Sequence, residues 1–366
     1  MITVNKKSFQ GWENCISISN GKVEVIVTTD VGPRIIGYSV NSGKNHMAVF
    51  PETAGQAGGT EFISYGGHRL WHAPEDAIRT YQPDNNPVEY RIVEDGVILH
   101  AAIEQETKLS KSMRVTMDED GTVYIDHRIT NHGMFDVEVA LWGLSMFDVG
   151  GLLIVPNSNH DTGLWANRQV AVWPYCAMND ERVYWGDKYI TVKQMDMKNA
   201  FKFGTSCHRG WAAYFNHNNL VVKEFPFFEN AEYPNFECNF ESYTNDRFIE
   251  IESLTPMVVI PSEEYEEYTE VWHIFDGIKQ PKKDDEEDID QKLRVFTDIY
   301  EDEEGCCGDD CDCCDFEDED CWNDDCCDID DEGCCDGDCC NCDGDEEYDE
   351  DDEEDCDDDC CCSHNE

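Results

Sequence analysis

Basic residues are scarce in this chain: 26 Lys and Arg stand against 81 Asp and Glu over 366 residues, a formal net charge of −55. Such a chain repels nucleic-acid phosphate and anionic membrane surfaces, so neither is expected as a partner, whereas multivalent cations and basic proteins are attracted. No apolar run approaches the roughly 20 residues of a membrane span. The opening Met1 to Lys7 lacks the apolar stretch of a secretory signal. Cysteine is thin over residues 1–276, where Cys15, Cys176, Cys207 and Cys238 show no paired spacing of a disulfide framework or a structural zinc site. These absences point to a cytoplasmic protein with reduced thiols. Long amphipathic helices are missing from the same stretch.

What the front lacks, the end has in excess. Residues 301–366 hold seventeen cysteines and thirty-five acids without one Lys or Arg, so this segment accounts for 35 of the 55 negative charges. Such a composition cannot build an apolar core, and a disordered, solvated tail is expected. Its evident chemistry is thiolate and carboxylate coordination. The candidate ligands are Cys306, Cys307, Cys311, Cys313, Cys314, Cys321, Cys326, Cys327, Cys334, Cys335, Cys339, Cys340, Cys342, Cys356, Cys360, Cys361 and Cys362. At about four thiolates per tetrahedral site they suffice for about four zinc ions, or for Cu(I) in thiolate clusters. A calcium loop is not indicated: Asp328, Asp330 and Gly333 imitate its opening, but Cys339 stands where the bidentate Glu belongs. The competing origin is low-complexity drift, because nearly every tail residue type is encoded with a purine at the middle base.

Before the tail the chain reads as strands. Lys22 to Thr28, Val88 to Val93, Ser112 to Met117, Thr122 to Thr130 and Arg247 to Leu254 are short, β-branched or alternating, and bounded by turn residues. Glu94-Asp95-Gly96 and Asp118 to Gly121 sit between such runs as hairpin connections. More than a dozen strands over residues 1–276 suit an all-β fold of two large antiparallel sheets packed face to face. The stretch from Pro156 to Asp187, with Trp165, Trp173 and Trp185, reads as loop-rich and a candidate to line a site. Residues 277–300 form a charged linker with a short helix.

Three clusters carry chemistry. In Tyr65 to Glu75, His68, Arg69, Trp71, His72 and Glu75 crowd a segment opened by two glycines. Forked donors and acceptors beside an indole suit a sugar, which offers hydroxyls at its edge and an apolar face. The competing reading is a loop with an Arg-Glu ion pair and a core Trp. In Tyr243 to Pro256, alternation puts Phe248, Glu250, Glu252 and Leu254 on one strand face. A carboxylate among such neighbours is desolvated, which raises its basicity and suits a general base. The alternative is the solvated outer face of a strand. In Glu138 to Phe147, an apolar strand centres on Trp142, with core packing as the plain reading.

Taken in order, Gly32-Pro33-Arg34-Ile35-Ile36, Gly66 to Glu75, Asn131-His132-Gly133, Trp173-Pro174-Tyr175, Gly210 to Tyr214, Tyr243-Thr244-Asn245 and Glu250 to Pro256 resemble the galactose mutarotase, or aldose 1-epimerase, superfamily, and a bacterial branch of it in particular. The resemblance spans roughly Thr3 to Phe275. It implies a large antiparallel β-supersandwich, a small sugar or sugar phosphate as ligand, and no cofactor for the sandwich. In mutarotases a late glutamate takes the anomeric hydroxyl proton while a histidine delivers one to the ring oxygen, so the sugar opens and recloses as the other anomer. That glutamate carries over to Glu252. Laying the acid's strand on Asp136 to Phe147 without gaps puts Trp142 where the histidine belongs, a departure from the family pattern. His68 or His72 is then expected to act as the acid, in one cleft with Glu252. Arg34, Arg69, Trp71, Glu75, Trp142, Tyr243 and Asn245 are the expected sugar contacts. The alternatives are a noncatalytic sugar-binding or regulatory module, and a metal store in which the tail carries the function.

The tail generates its own test. Zn(II) or Cu(I) added to reduced, metal-free residues 301–366 is expected to bind with release of thiol protons, since thiolates are the ligating form. Native mass spectrometry of protein purified anaerobically from its own host checks this. Metal-free protein with reactive thiols, despite ample metal, would leave drift as the account.

Overall fold

β-Branched and aromatic runs bounded by Gly, Asn and Asp become strands because a pleated backbone leaves their side chains room on two alternating faces. The computed structural model describes residues 1–40 and 43–301, and it contains twenty-one strands in two antiparallel sheets. The acidic tail, its expected disorder and all of the candidate metal-ligating cysteines, Cys306 to Cys362, lie outside the described residues. No described helix is long and apolar enough to cross a membrane.

The first sheet runs Thr3–Phe9, Trp12–Ser19, Val23–Thr28, Arg34–Val40, Gly67–Ala73, Val137–Phe147, Ile249–Leu254, Phe240–Thr244, Phe201–Thr205 and Val170–Val172, with Val258–Ile260 added to Val137–Phe147. The second runs Val183–Trp185, Tyr189–Lys193, Leu152–Pro156, Trp211–Asn216, Asn219–Glu224, Tyr265–Asp276, Val123–Asn131, Leu109–Met117, Gly96–His100 and Glu89–Val93. Tight hairpins at Glu94-Asp95 and at Asp118 to Thr122 join neighbours in the second sheet. Between the sheets lies the main core, to which Tyr38, Phe147, Phe203, Phe240 and Ile251 contribute from one side and Val115, Ile125, Tyr214, Val221 and Trp272 from the other.

Strands at the middle of the first sheet are buried on both faces. All seven residues of Gly67–Ala73 and all six of Ile249–Leu254 are buried, as are the last nine of Val137–Phe147. A second apolar cluster therefore covers the outer face of this sheet: Phe50, Trp71, Trp142, Leu144, Met146 and Leu254, with Phe62, Tyr81 and Phe248 packed against them. Entry to Gly67–Ala73 depends on its two glycines, which hold φ of +83° and +71°. A Cβ at Gly66 would meet the Ala48 carbonyl oxygen at 2.0 Å, and one at Gly67 the Ile35 carbonyl oxygen at 2.1 Å. No other residue type fits there.

Part of the outer face of the second sheet, over Leu152–Pro156, Trp211–Asn216 and Asn219–Glu224, is covered by the helix Glu286–Glu301. Ile289, Leu293 and Phe296, one stripe at i, i+4 and i+7, pack fully buried against Leu152, Ile154, Trp211, Phe215 and Val222. Glu286 fixes its start by accepting the backbone N–H groups of Lys188 at 2.9 Å and Tyr189 at 3.1 Å. The packed unit thus runs to Phe296, past the boundary at residue 276 expected from composition. The acids between the apolar positions disguise a docked helix as a polar linker.

That docking has a measurable consequence. Leu293→Ala and Phe296→Ala should each cost roughly 2–5 kcal/mol, because each leaves a cavity in a buried stripe. A chain ending at Gln280 should melt well below one ending at Glu301, with equal melting showing that the helix is dispensable.

Candidate functional site on the outer face of the first sheet

Directly opposed residues in an antiparallel ladder share a face, so the register assembles this site. Trp142 stands opposite Trp71 on one side and Leu254 on the other. Two residues along, Leu144 stands between Arg69 and Glu252, and Glu252 in turn pairs with Glu241. The next row holds Met146 with Glu250, and Tyr243 pairs with Lys202 one strand further. At a strand spacing of about 4.8 Å, Arg69 and Glu252 are carried by backbones roughly 10 Å apart, with the buried Leu144 between them.

Glu252 is the most constrained group on this face. It has no exposed surface, and its Oε2 accepts the Trp142 indole N–H at 2.9 Å and the Lys202 ammonium at 3.2 Å. Its Oε1 has no partner. Burial raises the Glu252 pKa, Lys202 opposes the rise and Glu241 adds to it, and the net result is about 7. Glu250 is driven well above the usual carboxylate range, by burial first and by the charge of Glu252 second. The Lys202 ammonium lies 2.7 Å from Glu241, with the rings of Trp142 and Trp173 at 4.9 and 4.8 Å. Burial alone would lower its pKa, but Glu252 and Glu241 outweigh burial and hold it above its ordinary value.

Arg69 forms the other end. Its guanidinium carbon lies 3.9 Å from the Trp71 ring centroid and 4.8 Å from that of Phe62. It is almost fully buried, yet its Nε and one terminal nitrogen have no hydrogen-bond partner. Burial, with Arg34 nearby, pulls its pKa down, so a partner with negative or lone-pair character would be welcome there. Arg69, Trp71, Phe62, Tyr81 and Asp84 line a cleft of about 680 Å³, within the range that small ligands occupy.

The two histidines expected beside Glu252 are on the opposite side of the sheet. His68 pairs with Ser145 and His72 with Leu141, the odd-numbered positions of Val137–Phe147, whereas Arg69, Trp71 and Glu252 align with its even ones. A period of two separates them. His68 Nδ1 lies 2.8 Å from the Ser145 hydroxyl and its Nε2 2.7 Å from His127 Nε2, between the sheets. Burial lowers the pKa of both expected acids, His72 to about 3 and His68 also well below its usual range, so neither is protonated at neutral pH.

Other expected contacts scatter. Arg34 is buried in an ion pair with Asp84 and donates to the Gly66 carbonyl at 2.6 Å, a bond that holds the glycine entry. Glu75 is exposed and accepts the Tyr81 hydroxyl. Asn245 shapes the turn before Ile249–Leu254, its Oδ1 accepting the Arg247 N–H at 2.7 Å. Tyr243 remains on the site face, stacked with Phe248 at 5.7 Å. Arg69, Trp71, Trp142, Tyr243 and Glu252 thus share one face of the sheet, and of these Arg69 and Trp71 line the cleft. Lys202 and Glu241 share that face without having been singled out in the sequence. The one signal for Lys202 is a cation between Phe201 and Phe203 in an apolar strand.

The geometry can be set beside known proteins. No family model matches the chain, and no curated protein matches it in sequence. Solved structures do: a provisionally assigned aldose 1-epimerase from Klebsiella pneumoniae subsp. pneumoniae is 10% identical, with a TM-score of 0.53 over 81% of this chain and 87% of that one. The chain has the galactose mutarotase-like fold. A galactose mutarotase-like protein from Lactobacillus casei is also 10% identical, with a TM-score of 0.45 over 72% of this chain and 100% of the other. A TPR-domain containing protein from Parabacteroides distasonis is 14% identical, with a TM-score of 0.48 over 73% of this chain, which spans only 49% of its length. At these identities the likeness is one of fold.

Within this mutarotase-like sandwich, Lys202 is the cation that makes the carboxyl group of residues tolerable. Lys202→Met is expected to destabilise the protein by about 3–5 kcal/mol near neutral pH, because it strands buried carboxylates. The raised pKa of Glu252 means that its contribution to stability is present below its ordinary value of 4.5 and is lost as pH rises through about 7. Removing Lys202 raises that pKa further, so the cost should be larger at pH about 8 than at pH about 5. Denaturant unfolding at both pH values checks the sign, and a cost independent of pH would contradict it.

Proposed function

We propose that this chain binds a small sugar, free or phosphorylated, over the outer face of its first sheet, and exchanges its anomers with Glu252 as the base. The observation that carries the reading is the arrangement around Leu144. Leu144, itself buried, lies between Arg69, with two unpartnered nitrogens, and Glu252, with one unpartnered oxygen, and indoles at Trp71 and Trp142 stand beside it. A pyranose matches those features with an apolar ring face and hydroxyl edges. The mutarotase-like fold is consistent with the reading, and the desolvated Glu252 has the basicity that proton abstraction near neutral pH asks for.

One observation favours a second reading, a noncatalytic sugar-binding module. Trp142 and Lys202 both hold Oε2 of Glu252, and nothing of this carboxyl reaches the surface. A carboxylate so held serves binding and stability without turnover. For the tail we propose uptake of soft metal ions by its cysteines, a reading that rests on composition alone.

Polarimetry separates the two. Under the first reading the protein accelerates anomer exchange of an aldose, and Glu252→Gln lowers kcat by about 10²–10⁴-fold while calorimetric affinity survives. Arg69→Met should weaken sugar affinity by about 10–100-fold under either reading, since it removes charge-assisted hydrogen bonds. Binding without acceleration across common aldoses and their phosphate esters leaves the noncatalytic module. No binding at all rejects both.

A further inference from the structure

Among the described residues, the strands Arg34–Val40 and Gly67–Ala73 meet at the single pair Ile35 and His68. Beyond that pair they part, and the cleft that reaches Arg69, Leu70 and Trp71 on one strand also reaches Gly32 and Pro33, just ahead of the other. Three buried cations belong to it. Lys111 lines its wall and is paired with Glu104 at 2.6 Å, and Arg34 is paired with Asp84, another wall residue. Arg69 is 2% exposed and, among the described residues, has no carboxylate of its own and no partner for two of its nitrogens.

What Arg69 offers is specific. The two unpartnered nitrogens are Nε and Nη2, whose parallel N–H bonds leave one edge of the guanidinium as a fork. A fork of that shape matches the two oxygens of a carboxylate, and one negative charge balances the one cation left over. Trp71 at 3.9 Å and Phe62 at 4.8 Å hold the guanidinium in place, so the fork is set before a ligand arrives. Burial and the charge of Arg34 lower the Arg69 pKa to about 9, which leaves it charged at neutral pH. Beside the fork stands Asp84. Burial alone would raise its pKa, but Arg34 and Arg69 outweigh burial and hold it below the ordinary value, so its unpartnered Oδ1 is an acceptor for a hydroxyl.

We propose that the sugar bound here is a hexuronate, with its carboxylate in the Arg69 fork and a hydroxyl donating to Asp84, an inference that rests on the sugar-binding reading above and not on turnover. A plain aldose leaves the fork unmatched, because its hydroxyls bring no charge to a cation held out of water. A phosphate ester overshoots. It carries about two negative charges at neutral pH, whereas the cleft has one unmatched cation, and the exposed Glu61 and Glu106 on the cleft wall repel the second charge. The rings of Trp71 and Tyr81 supply apolar surface for the face of the sugar.

Calorimetry on the full chain tests this without any need for turnover. Glucuronate and glucuronamide share ring and shape and differ in charge, as do galacturonate and its amide. The proposal expects the acid of one such pair to bind about 10–100-fold more tightly than its amide and than the parent aldose. Arg69→Lys keeps a charge but offers no fork and should lose most of that preference, and Arg69→Met should lose all of it, with thermal melting showing that each variant is folded. Equal binding of acid, amide and parent aldose overturns the hexuronate assignment and leaves the sugar-binding reading standing. Tighter binding of a hexose 6-phosphate does the same, by putting a phosphate in the fork. A preference for the acid that survives in folded Arg69→Met places the carboxylate elsewhere and also overturns it. Failure of every sugar to bind, charged or neutral, overturns the assignment together with the reading beneath it.

Discussion

Between the sheets, Lys223 and Glu270 form an ion pair at 3.0 Å with essentially no access to water. Removing both charges from solvent costs several kcal/mol per ion, and only a fully bonded setting offsets that. Here the setting is complete. The Lys223 ammonium reaches the Ile251 and Gly143 carbonyls at 3.0 and 3.3 Å and the Ser145 hydroxyl at 3.1 Å, all on the first sheet. Glu270 accepts Ser253 at 2.5 Å, Tyr268 at 3.1 Å and the Trp272 indole at 2.9 Å. Burial lowers the Lys223 pKa, with Glu270 opposing it, while for Glu270 burial is outweighed by Lys223, His68 and His127, which keep it ionised. His68, His127 and Glu270 are close enough to suggest metal ligands, but Glu270 is already occupied by four donors, so the cluster is closed on itself.

That network fixes the strands on which the candidate site is built. Gly143 supplies the room: a Cβ there would meet the Tyr268 hydroxyl at 2.0 Å and Glu270 at 2.1 Å. Its neighbours Trp142 and Leu144 face the other way, into the site. One strand therefore presents a charged network on one side and an indole beside Glu252 on the other, and each side limits how far the other can shift. Two polar clusters in such a sandwich are high-stakes features, since each buried group needs its partners.

Most of the fold was legible. Alternation and turn residues marked the strands that pair as hairpins, and the run of motifs from Gly32 to Pro256 pointed to a sandwich of this size. A short helix after residue 276 was legible too, but its docking was not, because Ile289, Leu293 and Phe296 are spread among acids and only a partner surface makes them a stripe. For the site, the period of two was the decisive signal. Density of chemical groups in Gly66 to Glu75 draws His68 and Arg69 into one cluster, yet one residue of separation along a strand sends them to opposite faces. Lys202 and Glu241 were out of reach for a different reason. Lys202 reaches Glu252 from a strand separated by a long connection, and Glu241 through the register of the hairpin that turns at 245–248, and neither is set by the pattern within one strand.

Burial on both faces makes the middle strands intolerant of changes in length. A residue added to or removed from Val137–Phe147 would rotate everything beyond it by one side, setting Trp142 against Tyr268 and Glu270 and turning Gly143 outward. The same frame shift in Ile249–Leu254 would bring two carboxylates under the Lys223 network and expel Ile251 from the core. Insertions and deletions in relatives of this chain should therefore gather in stretches such as 157–169 and 173–182, outside the strands, while these two strands vary by substitution alone.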